Sequence, residues 1–128
     1  MGLEALQYFN YYINMKTNDA VVALGALAQD TRLSIYRLLV QAGERGLVVS
    51  KIAEALETEA NGRLTFHLKA LVQAGLIEAR PEGRFIHYAA RYQAMNDLLA
   101  FLTENCCGGA DCGEAAICPP EHPKLRKA

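Results

Sequence analysis

The chain has 128 residues, of which 52 % are hydrophobic, and its formal net charge at pH 7 is −1. This size and composition fit one folded domain with a hydrophobic core, and they exclude a largely disordered chain or a broadly basic surface that coats nucleic acid. No run of about 18 apolar residues occurs in the sequence, so a membrane-spanning helix is not expected.

The first fourteen residues are apolar and aromatic. Their larger side chains recur at helical spacing, at Leu3, Leu6, Phe9, Tyr12 and Ile13. They predict either an extra helix or an extension that precedes a second start at Met15. The segment has no basic region and contains Glu4, so it does not have the pattern of a secretory signal. We therefore expect a cytoplasmic protein whose thiols stay reduced.

Two helices are predicted after this segment. Asn18 or Asp19 can cap the first helix, whose apolar side chains recur at helical spacing up to Ala28. The second helix begins at Asp30 and stops near Gly43. Its apolar stripe consists of Ile35, Leu38 and Leu39.

A third, short helix is predicted after a loop framed by glycines. Residues 47–49 either form a short strand before this helix or lead directly into it. Ser50 is a suitable N-cap, and the helix is expected to end near Glu57. Residues 58–60 connect it to a fourth helix. Two short helices joined in this way indicate a helix-turn-helix, although any helical hairpin has the same pattern.

The stretch from Asn61 to Gly75 has the pattern of an amphipathic helix. Its apolar stripe is formed by Leu64, Leu68, Leu71 and Val72. Asn61 can cap the start, and Gly75 can close the end in a left-handed conformation. The opposite face is predicted to carry Arg63, Thr65, Phe66, His67, Lys69 and Gln73. Polar and cationic groups in the first two turns are typical of a helix that enters a DNA major groove, and also of an ordinary surface helix.

A β-hairpin is predicted directly after this helix. Residues 76–80 and 84–89 have the composition of strands, and the Pro-Glu-Gly sequence between them is typical of a turn. A hairpin in this position is a wing, with Arg80 and Arg84 beside its tip. Arg84 then either contacts a phosphate or the minor groove, or it is simply solvated. Residues 61–92 contain five basic and two acidic side chains, which supports a surface that faces phosphates.

A last helix is predicted from about Arg91 to Cys107. Its apolar stripe is Met95, Leu98, Leu99 and Leu102. The chain has no cysteine before residue 106, and its four cysteines are Cys106, Cys107, Cys112 and Cys118. Because a disulfide framework would spread cysteines through the fold, this clustering indicates a site. The glycines and prolines around the cysteines predict an irregular tail.

In this order of elements the chain resembles the ArsR-type family of winged-helix metalloregulators. The resemblance is carried by residues 27–33, 38–39, 64–71 and 74–77, and by Gly83, Arg84 and Tyr88 in the wing. It covers roughly residues 19–102, and it implies a mostly α-helical fold with a small β-hairpin wing. It also implies a homodimer formed through the N- and C-terminal helices, which represses an operon for metal or metalloid resistance. The residues that would face double-stranded operator DNA are Arg63, Thr65, His67, Lys69 and Arg84.

The cysteine cluster has the chemistry of a metalloid site. Trivalent arsenic and antimony are soft, and they are best bound by three thiolate sulfurs arranged as a pyramid. Cys106, Cys107 and Cys112 supply three sulfurs within seven residues, and Cys118 is a further candidate. Adjacent residues of a helix point about 100° apart, so the first two cysteines can share one atom only if the last turn opens. The two glycines that follow them permit this opening.

The position of the cysteines departs from the family pattern. The best-known arsenic-sensing members carry their cysteines in the helix before the recognition helix, whereas residues 48–56 contain none here. We therefore expect a C-terminal site that takes As(III) or Sb(III) as inducer and thereby releases the operator. Four cysteines could instead hold zinc or cadmium, or form a thiol redox switch.

Three segments are predicted. Residues 1–17 are an N-terminal extension, residues 18–105 are the winged-helix domain for DNA binding and dimerisation, and residues 106–128 are a cysteine-rich sensor segment with a flexible tail. The alternative to a sensor is a constitutive DNA-binding module whose tail does not respond to any ligand. We recognise no paired carboxylates, phosphate loop or nucleophile–base arrangement, so an enzyme is not expected.

Overall fold

The computed structural model describes residues 15–109, which form five α-helices and one three-stranded antiparallel sheet. The helices are α1 (Thr17–Leu27), α2 (Asp30–Ala42), α3 (Val49–Ala55), α4 (Gly62–Gln73) and α5 (Tyr92–Leu102). The strands are β1 (Leu47–Val48), β2 (Ile77–Glu82) and β3 (Phe85–Ala90), and a 3-10 turn over Cys106–Gly109 follows α5. The predicted, mostly helical fold with a β-hairpin wing is confirmed. None of these helices is long and apolar enough to cross a membrane.

Residues 21–95 form one compact unit, and the described residues on either side of it belong to a second. The core of the unit formed by residues 21–95 consists of aliphatic side chains from α2, α3 and α4 and from the start of β2. The fully buried ones are Ile35, Leu39, Ile52, Leu68, Leu71, Leu76 and Ile77. Burying one such side chain stabilises the fold by about 1.5–3 kcal/mol relative to leaving it exposed. Through these residues α2 packs against α4 and the sheet.

Both ends of α4 follow from its sequence. The side-chain oxygen of Asn61 accepts hydrogen bonds from the backbone N–H groups of Arg63 and Leu64, at 3.1 and 3.2 Å. At the other end Gly75 has a φ of +79°, and its N–H donates to the carbonyl of Val72 at 2.9 Å. This is the left-handed closure for which glycine is favoured. The predicted caps at Asn61 and Gly75 are confirmed.

The short strand β1 determines where the third helix begins. Val48 pairs with His87 of β3, and α3 starts at the next residue, Val49. The predicted N-cap at Ser50 is therefore wrong, because strand pairing holds Val48 extended and Ser50 already lies inside the first turn. α3 ends at Ala55, two residues before its predicted end.

Gly46 lets β1 lie close against β3. Its φ is +72°, and a Cβ atom built on it would stand 2.2 Å from the carbonyl oxygen of Tyr88. A side chain is excluded both by this contact and by the left-handed backbone, so only glycine fits here.

The wing turns later than the sequence predicts. β2 runs as far as Glu82, which pairs with Phe85, so the turn consists of Gly83 and Arg84 alone. The pairing extends across Pro81 because β2 is an edge strand, where the missing N–H of a proline is tolerated. The prediction that residues 81–83 form the turn is therefore wrong.

The last helix is shorter than predicted. α5 ends at Leu102, five residues before Cys107. The hydroxyl of Thr103 donates to the carbonyl of Leu99 at 2.6 Å, and Asn105 has a φ of +57°, which a continuing helix cannot accommodate. The prediction of a helix up to Cys107 is therefore wrong, and the first two cysteines lie in a separate turn.

Candidate functional site

One side of α4 is packed in the core, and the other side is exposed. Its buried apolar stripe is Leu64, Leu68 and Leu71. The side chains of Arg63, Phe66 and Lys69 are exposed, and Thr65 is half-buried. The structure thus brings together, in the first two turns, three residues for which DNA contact is predicted: Arg63, Thr65 and Lys69. Their contact with DNA stays a prediction.

His67 lies on the buried side of α4, although the sequence placed it on the opposite face. Only 9 % of the residue is exposed. Its Nδ1 lies 3.5 Å from Nη1 of Arg32, whose Nε donates to the carbonyl of Ala26 at 2.8 Å. Because a guanidinium group can only donate, Nδ1 must be the acceptor, and the proton of the neutral ring is on Nε2.

The same surroundings keep the His67 ring neutral. Burial, followed by the positive charges of Arg32 and Arg63, lowers the pKa of His67 below its usual 6.5. A neutral ring can offer DNA a hydrogen-bond donor at Nε2 but no charge. Contact between His67 and DNA stays a prediction.

The wing holds the fifth residue with a predicted DNA contact, Arg84, which is exposed in the turn. Arg80 does not flank the tip as predicted. Its Nη2 donates to the carbonyl of Glu44 and, at 3.2 Å, to that of Arg45, while its Nε lies 3.5 Å from the carboxylate of Glu78. Arg80 therefore ties the middle of β2 to the loop before β1.

An open groove of about 670 Å³ lies beside the N-terminal half of α4. It is bounded by the start of α2 and by the connection between α3 and α4. Its charged lining residues are Asp30, Glu57, Glu59 and Arg63. Three of these four charges are negative, so the groove does not favour an anion.

The cysteine turn (Cys106–Gly109) begins four residues after the end of α5. Cys106 is half-buried and Cys107 is exposed. The backbone is left-handed at Cys107, with φ +59° and ψ +28°, and at Gly108, with φ +63° and ψ +24°. The two cysteines are therefore not consecutive residues of an α-helix, and the divergence of about 100° expected for such residues does not apply.

The third and fourth predicted sulfur ligands, Cys112 and Cys118, lie outside the described residues. Within residues 15–109, no three side chains of His, Cys, Asp or Glu are grouped so that they could hold a metal ion. The described chain therefore supplies two of the proposed thiols, Cys106 and Cys107, and metal or metalloid binding stays a prediction.

Large apolar side chains are exposed on the helices near both ends of the described chain. On α1 these are Val21, Val22 and Leu24, and on α5 they are Leu99 and Leu102. Groups of exposed apolar side chains of this kind are typical of surfaces that bind another protein.

Known proteins are similar to this chain in sequence. A family described as "Helix-turn-helix domain" matches residues 27–80. The arsenical resistance operon repressor of Bacillus subtilis (strain 168) is 33 % identical over 93 residues, which span 73 % of this chain and 84 % of that protein. The chain belongs to the ArsR family of DNA-binding repressors.

Solved structures are similar to this ArsR-family protein as well. An ArsR-like transcriptional regulator from Rhodococcus sp. RHA1 has a TM-score of 0.60 and 27 % identity, with 72 % of this chain and 82 % of that chain covered. The homodimeric winged helix-turn-helix domain of Mb0332 from Mycobacterium bovis has a TM-score of 0.53 and 29 % identity, with coverages of 76 % and 89 %. In this ArsR-family protein α3 and α4 are therefore the helix-turn-helix, and β2 and β3 form its wing.

Two features of the ArsR-family protein were missed by sequence reasoning. Arg32 is 35 residues away from His67, and no local pattern announces their contact. A signal for the burial of His67 was available, because it lies three residues after Leu64 and four before Leu71, which places it at the edge of the apolar stripe.

Proposed function

We propose that this protein is a homodimeric, cytoplasmic repressor of a metalloid-resistance operon, which leaves its operator when As(III) or Sb(III) binds to C-terminal thiolates. The proposed ligands are Cys106, Cys107 and Cys112, with Cys118 as a further candidate. The observation that carries the proposal is the pair of adjacent cysteines in a left-handed turn just after α5. The resistance operon itself is inferred from the name of the Bacillus relative.

The chemistry of capture is a ligand exchange. Arsenite carries three hydroxyl groups on one arsenic atom, and each can be replaced by a thiolate while the thiol proton leaves with the hydroxyl as water. Three sulfur–arsenic bonds therefore form, and three water molecules are released. The exposure of Cys107 gives arsenite access. The left-handed backbone at Gly108 lets the chain reverse its direction, which a third sulfur from Cys112 requires.

The proposed operator contacts come from the exposed face of α4 and from the wing. Arg63 and Lys69 supply positive charge for phosphates or guanine edges, and Thr65 supplies a hydroxyl group. Arg84 in the wing turn is proposed to contact a phosphate or the minor groove. His67 would contribute a neutral donor through Nε2.

The dimer is proposed to carry the signal between the two sites. The exposed leucines of α5, Leu99 and Leu102, and the exposed valines of α1 are proposed to pack against a second copy of the chain, as the homodimeric Mycobacterium relative supports. Two recognition helices must reach successive major grooves about 34 Å apart. Reshaping the chain at Cys106 would disturb α5 and hence this spacing, with a coupling free energy of about 1–3 kcal/mol.

Operator release in the presence of arsenite tests the proposal. The reduced, full-length protein is bound to a fluorescent duplex that it has selected from a random pool, and anisotropy is followed as arsenite is added. We expect the wild-type protein to leave the duplex, whereas the double variant Cys106→Ser, Cys107→Ser stays bound because it has lost two of three sulfur ligands. Release of this variant at the arsenite concentrations that release the wild-type protein would contradict the proposal.

Further titrations distinguish the proposed inducer from its alternatives. Zinc, cadmium and an oxidant are expected to release the wild-type protein less effectively than arsenite. Stronger release by one of them would instead favour a tetrahedral metal site or a thiol redox switch. A protein that no additive releases would be a constitutive DNA-binding module. The variant Cys118→Ser shows whether the fourth cysteine takes part.

A further inference from the structure

Phe66 is a large apolar side chain on the exposed face of α4. It is 64 % exposed, more than any other large apolar residue among residues 15–109. At about 100° per residue, Phe66 lies about 200° around the helix from Leu64, so its side chain is directed away from the buried stripe. Its neighbours on the exposed face include Lys69, one turn later.

The local sequence leaves the Phe66 ring uncovered. Helical side chains lean toward the N-terminus, so Phe66 is directed toward the first turn of α4. Gly62, in that turn, has no side chain, and a Cβ atom built there would meet no described atom within 4 Å, so the surface at this end of the helix is open. The ring therefore stands free at the end of the helix that enters the major groove in a helix-turn-helix protein.

The ring also contacts the next residue in the chain. Its centroid lies 5.7 Å from that of His67, with the two planes at 64°, which is an edge-to-face contact. His67 is in turn held by Arg32, at 3.5 Å. Contacts from Phe66 to His67 and from His67 to Arg32 therefore connect the Phe66 ring to α2.

We propose that Phe66 reads a thymine of the operator by packing its ring against the C5 methyl group in the major groove. The thymine methyl is the apolar feature that the major groove offers, and phenylalanine is a suitable partner for it. Packing would remove from water an apolar surface that the protein alone leaves exposed. The inference rests on the proposed role of α4 in operator contact, and it adds a residue that carries sequence specificity without charge.

Replacing thymine by deoxyuridine tests this contact, because it removes only the methyl group. The wild-type protein first selects a duplex from a random pool, and each thymine is then replaced in turn, symmetrically in both half-sites. At the position of the thymine that Phe66 contacts, we expect the wild-type protein to bind about fourfold more weakly per half-site. This is the loss expected when one methyl group is no longer buried. The variant Phe66→Ala is expected to bind the thymine and deoxyuridine duplexes equally well at that position.

Two control variants accompany this measurement. Phe85→Ala removes a phenyl ring that is 60 % exposed in the wing, and it should keep the wild-type sensitivity to the methyl group. Arg63→Ala removes one cation from each protomer of the proposed homodimer, so it should lower the slope of log affinity against log salt concentration by about 2, whereas Phe66→Ala should leave that slope unchanged. Thermal unfolding shows whether Phe66→Ala is folded as the wild-type protein is. If its unfolding temperature differs from that of the wild-type protein, Phe66→Leu is used in its place. We expect the affinity of Phe66→Leu to depend less on the thymine methyl group than that of the wild-type protein.

The outcomes separate this inference from the proposed function. If the wild-type protein and the Phe66 variants respond alike to every replacement, the thymine contact is overturned while operator binding stands. If the wild-type protein selects no duplex at all, operator binding by α4 fails and the thymine contact fails with it.

Discussion

At the scale of single residues, the contact between Arg32 and His67 shows how the recognition helix is held. Arg32 connects the carbonyl of Ala26, near the end of α1, to the imidazole ring of His67 in α4. Burial, followed by the charges of Arg32 and Arg63, keeps the ring neutral, and the ring contacts that of Phe66 on the exposed side. His67, for which the sequence predicts contact with DNA, thus has a structural role as well.

The lowered pKa of His67 makes the free energy of unfolding depend on pH. In the unfolded chain a histidine binds its proton at the usual pKa of 6.5, whereas the folded protein keeps His67 neutral to a lower pH. Between these two pKa values the unfolded state holds more protons, so stability is lost as the pH falls below 6.5. Chemical denaturation between about pH 5 and 8 measures the effect. We expect a weaker pH dependence for His67→Gln, and an unchanged dependence would contradict this account.

At the scale of elements, helix ends were predicted well where one side chain decides them. Asn61 and Gly75 bound α4 because their own chemistry satisfies or reverses the backbone at those positions. The start of α3 and the turn of the wing were predicted wrongly because cross-strand pairing decides them, and local composition contains no information about register. The end of α5 was predicted too late because no Gly or Pro follows Leu102 before Gly108, whereas the left-handed backbone at Asn105 already ends the helix.

The close approach of β1 and β3 gives a prediction at this scale. Gly46→Ala places a Cβ atom against the carbonyl of Tyr88, on top of the cost of a left-handed alanine. Gly43→Ala is the matched control, because its φ is +88° but a Cβ atom there would meet no described atom within 4 Å. In urea denaturation we expect a loss of about 1–3 kcal/mol for Gly43→Ala, because its backbone, with φ +88° and ψ −173°, lies in a region that is essentially restricted to glycine. Gly46→Ala should lose at least about 1 kcal/mol more, and equal losses would show that the sheet does not require this contact.

At the scale of the whole molecule, the chain order of helices and the hairpin was enough to predict a winged-helix fold, and the ArsR family was predicted from the resemblance of particular residues in it. The exposed residues of α4 and the cysteine cluster could also be located from the sequence. The identity of the inducer could not be derived in the same way, because helical periodicity places side chains but does not determine which soft ion their sulfurs bind. The spacing between recognition helices is likewise a property of two chains, which one sequence does not encode locally.

In the proposed function, the segment from Cys106 onward controls how tightly α4 and the wing hold DNA. Such coupling is reciprocal: arsenite can weaken operator binding only if the operator weakens arsenite binding by the same factor. Calorimetric titration of arsenite into the reduced protein, alone and in complex with its selected duplex, measures this factor directly. We predict about 5- to 150-fold weaker arsenite binding at each site in the complex, and the product of these factors over the sites of the dimer should equal the loss of duplex affinity at saturating arsenite. Equal arsenite affinity for the free and the DNA-bound protein would contradict the claim.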